Sequence, residues 1–363
     1  MPERTPLHDA ASKAGAVFLE EAGWLVPARF RTVLEEYQRC RDHAAVFDES
    51  HRGKLELRGP DARSFLHRLS SNDIAGLPAD GGCEAFLATA KAKVVAHLLA
   101  FPVRDPEGVE AIWLDLAPGQ AAKTLQHLDH FLISEQLELL DRTRDFAQIH
   151  LAGPRAKAIL ESALSTALPD LRPLQHVELP RTGGTTLHIR RHDPLGLPGF
   201  DLLVPSAAAK ELWNALLAQG AVPAGQETFH TLRIEAGTPI YGVDIDENNL
   251  AMEINRTAQA ISYTKGCFPG QEPIVRARDL GHVNWSLRGL KIEDTGPIPT
   301  ESKLCQEGKA VGRITSAAIS PRFGCMVALG YVRRGHDAPG MKLEVALDGG
   351  QRMAEVASLP FSD

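Results

Sequence analysis

A chain of 363 residues, 44% hydrophobic and 23% charged, has the usage of ordinary folded proteins and the length of two to three domains, which excludes wholesale disorder. Its net charge of −7 speaks against a broad nucleic-acid-binding surface and leaves room only for local basic sites that meet small anions. Five cysteines at 40, 83, 267, 305 and 325, no two closer than 20 residues, exclude a readable zinc or iron–sulfur ligand set and a disulfide-stapled secreted domain.

The first residues, Met1 to Glu21, lack the apolar block of a signal peptide. Apolar stretches such as Val94–Phe101 are far too short to span a membrane. The expectation is a cytoplasmic protein with neither membrane nor nucleic-acid partners. Residues 1–26 read as a polar arm. Residues 27–42 then read as an amphipathic helix, with Phe30, Val33, Leu34 and Tyr37 at three- and four-residue steps on one face.

A pattern follows that occurs twice. Gly53–Arg58 runs through Gly59-Pro60 into an apolar-periodic segment ending at Leu69. Ile149–Ala152 runs through Gly153-Pro154 into a segment ending at Leu160. Each is a strand entering a helix whose first turn tolerates proline. Each unit also closes alike: Ile112–Leu116, Pro118 and a helix over Gln120–Phe131 in the first; Leu202–Val204, Pro205 and a helix over Ala207–Leu217 in the second. Strand-like runs lie between, at Cys83–Thr89 and Val94–Phe101, and at Thr185–Arg190. The expected core is therefore two duplicated α+β lobes of split-βαβ type, about 27–145 and 146–282. From about Val283 helical periodicity gives way to short apolar runs between Gly and Pro: Leu287–Ile292, Val311–Ile314, Met326–Tyr331, Lys342–Leu347 and Ala354–Leu359. Residues 283–363 read as a β-barrel, after a helix that stops at Gly281.

The densest chemistry lies in the loop from Lys265 to Glu272 and the segment reaching Arg278. Glycines and proline specify a tight turn, and Cys267 precedes a predicted helix with Lys265, Arg276 and Arg278 close in sequence. A helix N-terminus and cations favour thiolate, which makes Cys267 and Lys265 candidate catalytic residues. A small cysteine buried in a turn is the other reading, and the residues alone leave both open.

Asp244-Ile-Asp-Glu-Asn248 begins like a calcium loop, but Asn249 and Asn255 stand where glycine and a bidentate glutamate are required. No metal site is expected. Dinucleotide, P-loop and α/β-hydrolase fingerprints are absent. The fourteen histidines form no HExxH-type pair and default to solvated or core roles.

The run Lys265-Gly-Cys-Phe-Pro-Gly-Gln-Glu272 matches the signature K-G-C-F/Y-x-G-Q-E of the YgfZ-type folate-binding proteins. These are relatives of the glycine-cleavage T-protein, an aminomethyltransferase, and are linked to upkeep of iron–sulfur enzymes. The stretch Val46–Gly53 resembles the superfamily's F-D-x-S-H-x-G segment, and Gly59–Ala62 and Ser71-Asn72-Asp73 resemble G-x-D-A and T-N-D. Leu232–Gly237 and Tyr241–Asp244 resemble L-R-x-E-A-G and Y-G-x-D. The resemblance implies a three-lobed ring, two related α+β lobes plus a C-terminal β-barrel, around a pocket for tetrahydrofolate or a derivative. It assigns Asn72, Arg233 and Tyr241 to that pocket. Glu272, Arg276 and Arg278 are expected toward the folate as well, with the arginines at its glutamyl tail.

Two departures bear on mechanism. Where T-proteins carry paired aspartates beside the folate nitrogens, this chain has Ala96-His97. Leu197 stands where a glutamate faces the pterin, an expected loss of roughly 1.5–3 kcal/mol of charge-assisted bonding. The leading expectation is therefore a folate-binding accessory protein that uses Cys267 to support iron–sulfur cluster assembly or repair, with client enzymes or assembly proteins as partners. The alternative is a tetrahydrofolate-dependent aminomethyltransferase, with His97 or Asp73 as acid or base. A third reading is a folate-sensing scaffold without chemistry.

Overall fold

The computed structural model describes every residue except 105–107, 182–184, 280, 282, 294, 348–349 and 363. The expected N-terminal arm is folded: strands Glu3–Arg4, Val17–Glu21 and Trp24–Arg29 form a three-stranded sheet beside the helix His8–Lys13. Trp24–Arg29 takes the beginning of the expected helix, which starts only at Val33 and ends at Asp42. Thr32 sets that start through a capping box, its hydroxyl accepting from Glu35 N (3.3 Å) while the Glu35 carboxylate accepts from Thr32 N (3.1 Å). The buried face is Glu36, Tyr37 and Cys40, and Leu34 is half exposed.

The duplication is present in the topology. In the first lobe the sheet runs Cys83–Ala88, Val94–Arg104, Glu110–Leu116, Gly53–Arg58, Glu138–Asp141. In the second it runs His176–Pro180, Thr186–Arg191, Gly199–Pro205, Phe146–Ala152, then Ala45–Asp48 and Val222–Pro223. The order second, third, fourth, first strand of the unit is the same in both. Helices Ala62–Leu69 and Ala121–Asp129 cover one face of the first sheet, burying Leu55, Leu57, Phe65, Leu66, Ile112 and Leu114. Helices Ala156–Leu164 and Ala209–Ala218 cover the second through Ile149, Leu151, Leu160, Leu202, Trp213 and Leu216. Each such aliphatic side chain contributes about 1.5–3 kcal/mol on burial.

The repeated Gly-Pro has a steric cause. Gly59 and Gly153 adopt φ of 140° and 131°, and a Cβ there would lie 2.4 Å from Gln136 O and 2.5 Å from His43 O. Only glycine fits both the dihedral and the close backbone approach. Gly153→Ala is expected to lower the unfolding free energy by about 1–3 kcal/mol from the dihedral alone. A urea midpoint equal to that of the unsubstituted protein overturns this account.

The two sheets interlock because the chain changes sheets twice. Ala45–Asp48 pairs in the second sheet and Gly53–Arg58 in the first, and the reverse change occurs between Glu138–Asp141 and Phe146–Ala152. The faces not covered by helices therefore meet. Phe101 and Trp113 of the first sheet lie against Arg190 of the second (4.3 and 5.7 Å to the ring centroids), and Trp113 stacks on His188. The layer between them is polar yet buried: Lys54, Glu56, Asp115, Gln148, His150, Arg190 and Asp201 are all at most 5% exposed.

The C-terminal barrel is closed and six-stranded, in the order Trp285–Ile292, Cys325–Arg333, Lys309–Ser320, Lys303–Gln306, Lys342–Leu347, Gly350–Ala357. Lys303–Gln306, four residues long, is the strand that apolar runs did not mark. The barrel packs on helix Gln226–Glu235 through Ile234, Leu287, Val327, Leu329 and Phe361. Helix Gln271–Asp279 precedes it; Leu280 and His282, at the expected helix stop, lie outside the described residues. Among the described residues no helix is long and apolar enough to cross a membrane.

Candidate active site

A cleft of about 680 Å³, open to solvent at its mouth, is lined from both lobes and from the segment that leads toward the barrel. The first sheet contributes Glu84, His97, Leu98, Leu99 and Asp115, and the second contributes His150 and Asp201, with His192 just past the strand Thr186–Arg191. Glu49 and Arg52 enter from the crossover between the sheets, Phe229 and Arg233 from the helix Gln226–Glu235, and Ile240, Tyr241 and Arg256 from beyond it.

Charge in the cleft is organised in three groups. Arg52 donates to Asp115 Oδ1 through Nε (2.8 Å) and Nη2 (2.5 Å), while Gln148 Nε2 donates to Oδ2 (2.7 Å). Burial works against the charge of Arg52, but Asp115 and Glu49 hold its guanidinium protonated above the usual range. Glu49 accepts from Gln226 Nε2 at 2.6 Å, and burial pushes its carboxyl up.

In the second group Asp201 meets two imidazoles, His150 Nδ1 at 2.8 Å and His192 Nδ1 at 2.6 Å. Burial would raise Asp201, yet the histidines hold it well below the usual carboxylate range. His192 is correspondingly raised by Asp201 in spite of burial.

The third group is Glu84, which meets His97 Nε2 at 2.7 Å and Arg256 Nε at 2.9 Å, with Arg256 Nη2 on its other oxygen. Burial again acts upward and is overcome by Arg256 and His97, leaving Glu84 at about 2.

Arg233 is held from behind. Asp244 accepts from Arg233 Nη1 (2.5 Å) and Ile240 N (3.0 Å), and from the hydroxyls of Thr315 and Ser316 (2.6 Å each). Two consecutive side chains reach one carboxylate because the barrel strand shifts register between Ile314 and Ser316. The segment that opened like a calcium loop thus places its first aspartate in an ion pair.

Of the residues expected at the site, Arg233 and Tyr241 line the cleft. Asn72 lies beside it, its amide donating to Glu84 O and Gln259 O at 2.8 Å each. Asp73 is exposed and accepts from Gly76 N at 2.9 Å.

Lys265 is engaged elsewhere. Its amine donates to His67 O and to Ser70 O (2.5 Å), at the C-terminal end of helix Ala62–Leu69, where a cation suits the free carbonyls. Burial lowers it to about 8. Cys267 is exposed and shares a separate surface depression with Glu272 and Arg276, one that has no lining residue in common with the cleft. Arg278 pairs with Asp279 at 2.7 Å and lies over Tyr263. The structure therefore does not bring Cys267, Lys265, Glu272, Arg276 or Arg278 to the cleft. Leu197 packs on an apolar cluster with Tyr37, Cys40 and Phe229.

Glu49, Arg52, Glu84, Asp115, His150, His192, Asp201 and Arg256 were not marked by motif. The signal available for Glu84, Asp115, His150 and Asp201 was strand alternation, with polar residues opposite the helix-covered face.

Comparison with known proteins accounts for this arrangement. The family model for the GCVT N-terminal domain matches residues 7–261, and that for the glycine cleavage T-protein C-terminal barrel domain matches 286–363. Aminomethyltransferase from Moorella thermoacetica is 31% identical, covering 99% of this chain and 97% of its own, and that from Symbiobacterium thermophilum is 30% identical with the same coverage. The crystal structure of glycine cleavage system aminomethyltransferase T from Bartonella henselae superposes with a TM-score of 0.90 at 27% identity, covering 100% of this chain and 98% of that one. Aminomethyltransferases of this kind are tetrahydrofolate-dependent, in agreement with the expected cofactor.

These matches correct the leading expectation. The relatives that share the whole chain are aminomethyltransferases, which overturns the accessory role in iron–sulfur assembly; they do not show the client partners that went with it. The loop that suggested that role lies outside the cleft, and its lysine is occupied in packing.

Proposed function

The chain belongs to the glycine cleavage T-protein family, and on that premise we propose that it is a tetrahydrofolate-dependent aminomethyltransferase acting in the cleft between its two lobes. The observation that carries this reading is a cleft lined by both related lobes in a chain that corresponds to aminomethyltransferases from end to end. The complete Lys265–Glu272 signature further supports placing it in the YgfZ-type branch of the family.

The residues suit the cofactor. Leu98, Leu99, Phe229 and Ile240 offer apolar surface to a flat ring. Glu49 has one oxygen on Gln226, and the other, 3.9 Å from Arg52, retains acceptor capacity for ring N–H groups. His150 Nε2 is buried without a partner among the described residues. Glu49 thus offers the carboxylate that Leu197 does not, and Arg233 and Tyr241 share the lining with it. When bound, tetrahydrofolate supplies the amine that receives the one-carbon unit. The chain's own part is to hold it, with Arg52 balancing Glu49 and Asp115, and Asp244 fixing Arg233.

Calorimetric titration with tetrahydrofolate, paired with an assay for methylene-tetrahydrofolate from an aminomethyl donor, tests the reading. Binding with turnover is expected, and Glu49→Ala is expected to weaken binding about tenfold or more, as for loss of a hydrogen bond to a charged group. Binding without turnover at high enzyme concentration overturns the transferase in favour of a folate-sensing scaffold, and absence of binding overturns both.

A further inference from the structure

We propose that His97 is the proton-transferring residue of the cleft, with Glu84 and Arg256 as the positioning residues behind it; this deepens, and rests on, the aminomethyltransferase reading. His97 and Glu84 stand on the same face of neighbouring strands, where Phe86 pairs with His97 and Glu84 with Leu99, so the imidazole and the carboxylate meet diagonally at 2.7 Å. The Phe86 ring packs against the imidazole at 5.0 Å between centroids. The ring is thus fixed on one side by packing and at Nε2 by a hydrogen bond.

The chemistry of the partner decides which nitrogen is basic. Glu84 is ionised across the physiological range and can only accept, so in the neutral ring the proton sits on Nε2 and the lone pair on Nδ1. Among the described residues no hydrogen bond reaches Nδ1, and His97 lines the cleft. Arg256 bonds both oxygens of Glu84, which locks the carboxylate's orientation and balances its charge.

The other two imidazoles of the cleft are arranged differently. His150 and His192 share the single carboxylate of Asp201, and that carboxylate favours the protonated form of His192. The second lobe thus holds its imidazoles against a carboxylate at Nδ1, whereas the first lobe leaves Nδ1 of His97 as the acceptor in the cleft. In turnover the acceptor amine in the cleft bonds to the one-carbon unit while Nδ1 takes its proton, the N–H electron pair staying on that nitrogen. The bond from that carbon to the donor's nitrogen breaks with its pair on the nitrogen, the same proton passes to it, it leaves as ammonia, and the ring ends as it began.

Two measurements test this. Nitrogen-15 spectra of the histidine-labelled protein without ligand are expected to show His97 as the Nε2–H tautomer, with that preference lost in Glu84→Gln. His97→Asn is expected to lower kcat by about 10²–10⁴-fold, the usual worth of a positioned acid–base group, while the calorimetric Kd for tetrahydrofolate stays near the unsubstituted value. Added imidazole is expected to restore part of the activity to His97→Ala. An Nδ1–H tautomer overturns the inference, as does full activity in His97→Asn beside an active unsubstituted protein. An unsubstituted protein that binds tetrahydrofolate without turnover overturns the transferase reading instead, and this role with it.

Discussion

Replacing Asp244 by alanine is expected to lower the unfolding free energy by about 3–5 kcal/mol, the cost of removing one partner from a buried ion pair. Asp244 and Arg233 are 2% and 1% exposed, so neither charge has water to fall back on. Among the described residues, the Arg233 guanidinium without Asp244 retains only Thr238 O at 3.3 Å and His230 Nδ1 at 3.4 Å. Among the described residues, Ser316 loses its acceptor and Thr315 keeps only Leu329 O at 3.2 Å. The carboxylate is also where the barrel strand Lys309–Ser320 meets the helix that carries Arg233, so the loss falls on a junction between structural units. Asp244→Asn keeps the shape and one acceptor but not the charge, and its loss is expected to be smaller. Urea unfolding of the three proteins measures it. A loss under about 1 kcal/mol, the scale of a single ordinary hydrogen bond, means that Arg233 is solvated from the cleft and the junction does not depend on the pair.

The sequence disclosed the parts of this protein whose causes are local. A glycine that must adopt φ near 131–140° beside another backbone leaves the same Gly-Pro mark in both lobes, so the duplication was visible at Gly59 and Gly153. The barrel was visible because turns break up its apolar runs. The cleft was not, because its pairs are distant in sequence: Glu84 meets Arg256 at a separation of 172 residues, and Arg52 meets Asp115 at 63. Polar residues alternating along Gly53–Arg58, Phe146–Ala152 and Thr186–Arg191 read naturally as solvated positions. They are buried because a second sheet, not water, covers that face. The loop around Cys267 misled in the opposite way. Lys265 and Cys267 are two residues apart, yet the amine crosses to the end of helix Ala62–Leu69, where carbonyls without helical partners bind it. Density of reactive residue types along the chain is no measure of their convergence in space.

Arg256→Gln is expected to destabilise the protein at neutral pH and to flatten its acid unfolding profile, and the sign follows from Glu84. Its carboxyl stands at about 2 in the folded protein against an ordinary 4.5: burial acts upward, and the Arg256 hydrogen bonds and the His97 charge more than offset it. A carboxylate depressed by folding contributes stability that is complete above its ordinary value and is lost as pH falls from 4.5 toward about 2. At about 1.4 kcal/mol per pH unit this is on the order of 3 kcal/mol. With Arg256 gone, burial acts on Glu84 with only His97 opposing it. The folded carboxyl then moves toward or above its unfolded value, and the contribution shrinks at every pH above that window. Denaturant unfolding of the unsubstituted protein and of Arg256→Gln at pH 7, 5 and 3 separates this from the many other carboxylates, whose titration cancels in the difference. The gap between the two proteins is expected to be widest at pH 7 and to narrow by pH 3. A gap that stays constant over that range would show that Arg256 stabilises through packing alone, with Glu84 held ionised by something other than its guanidinium.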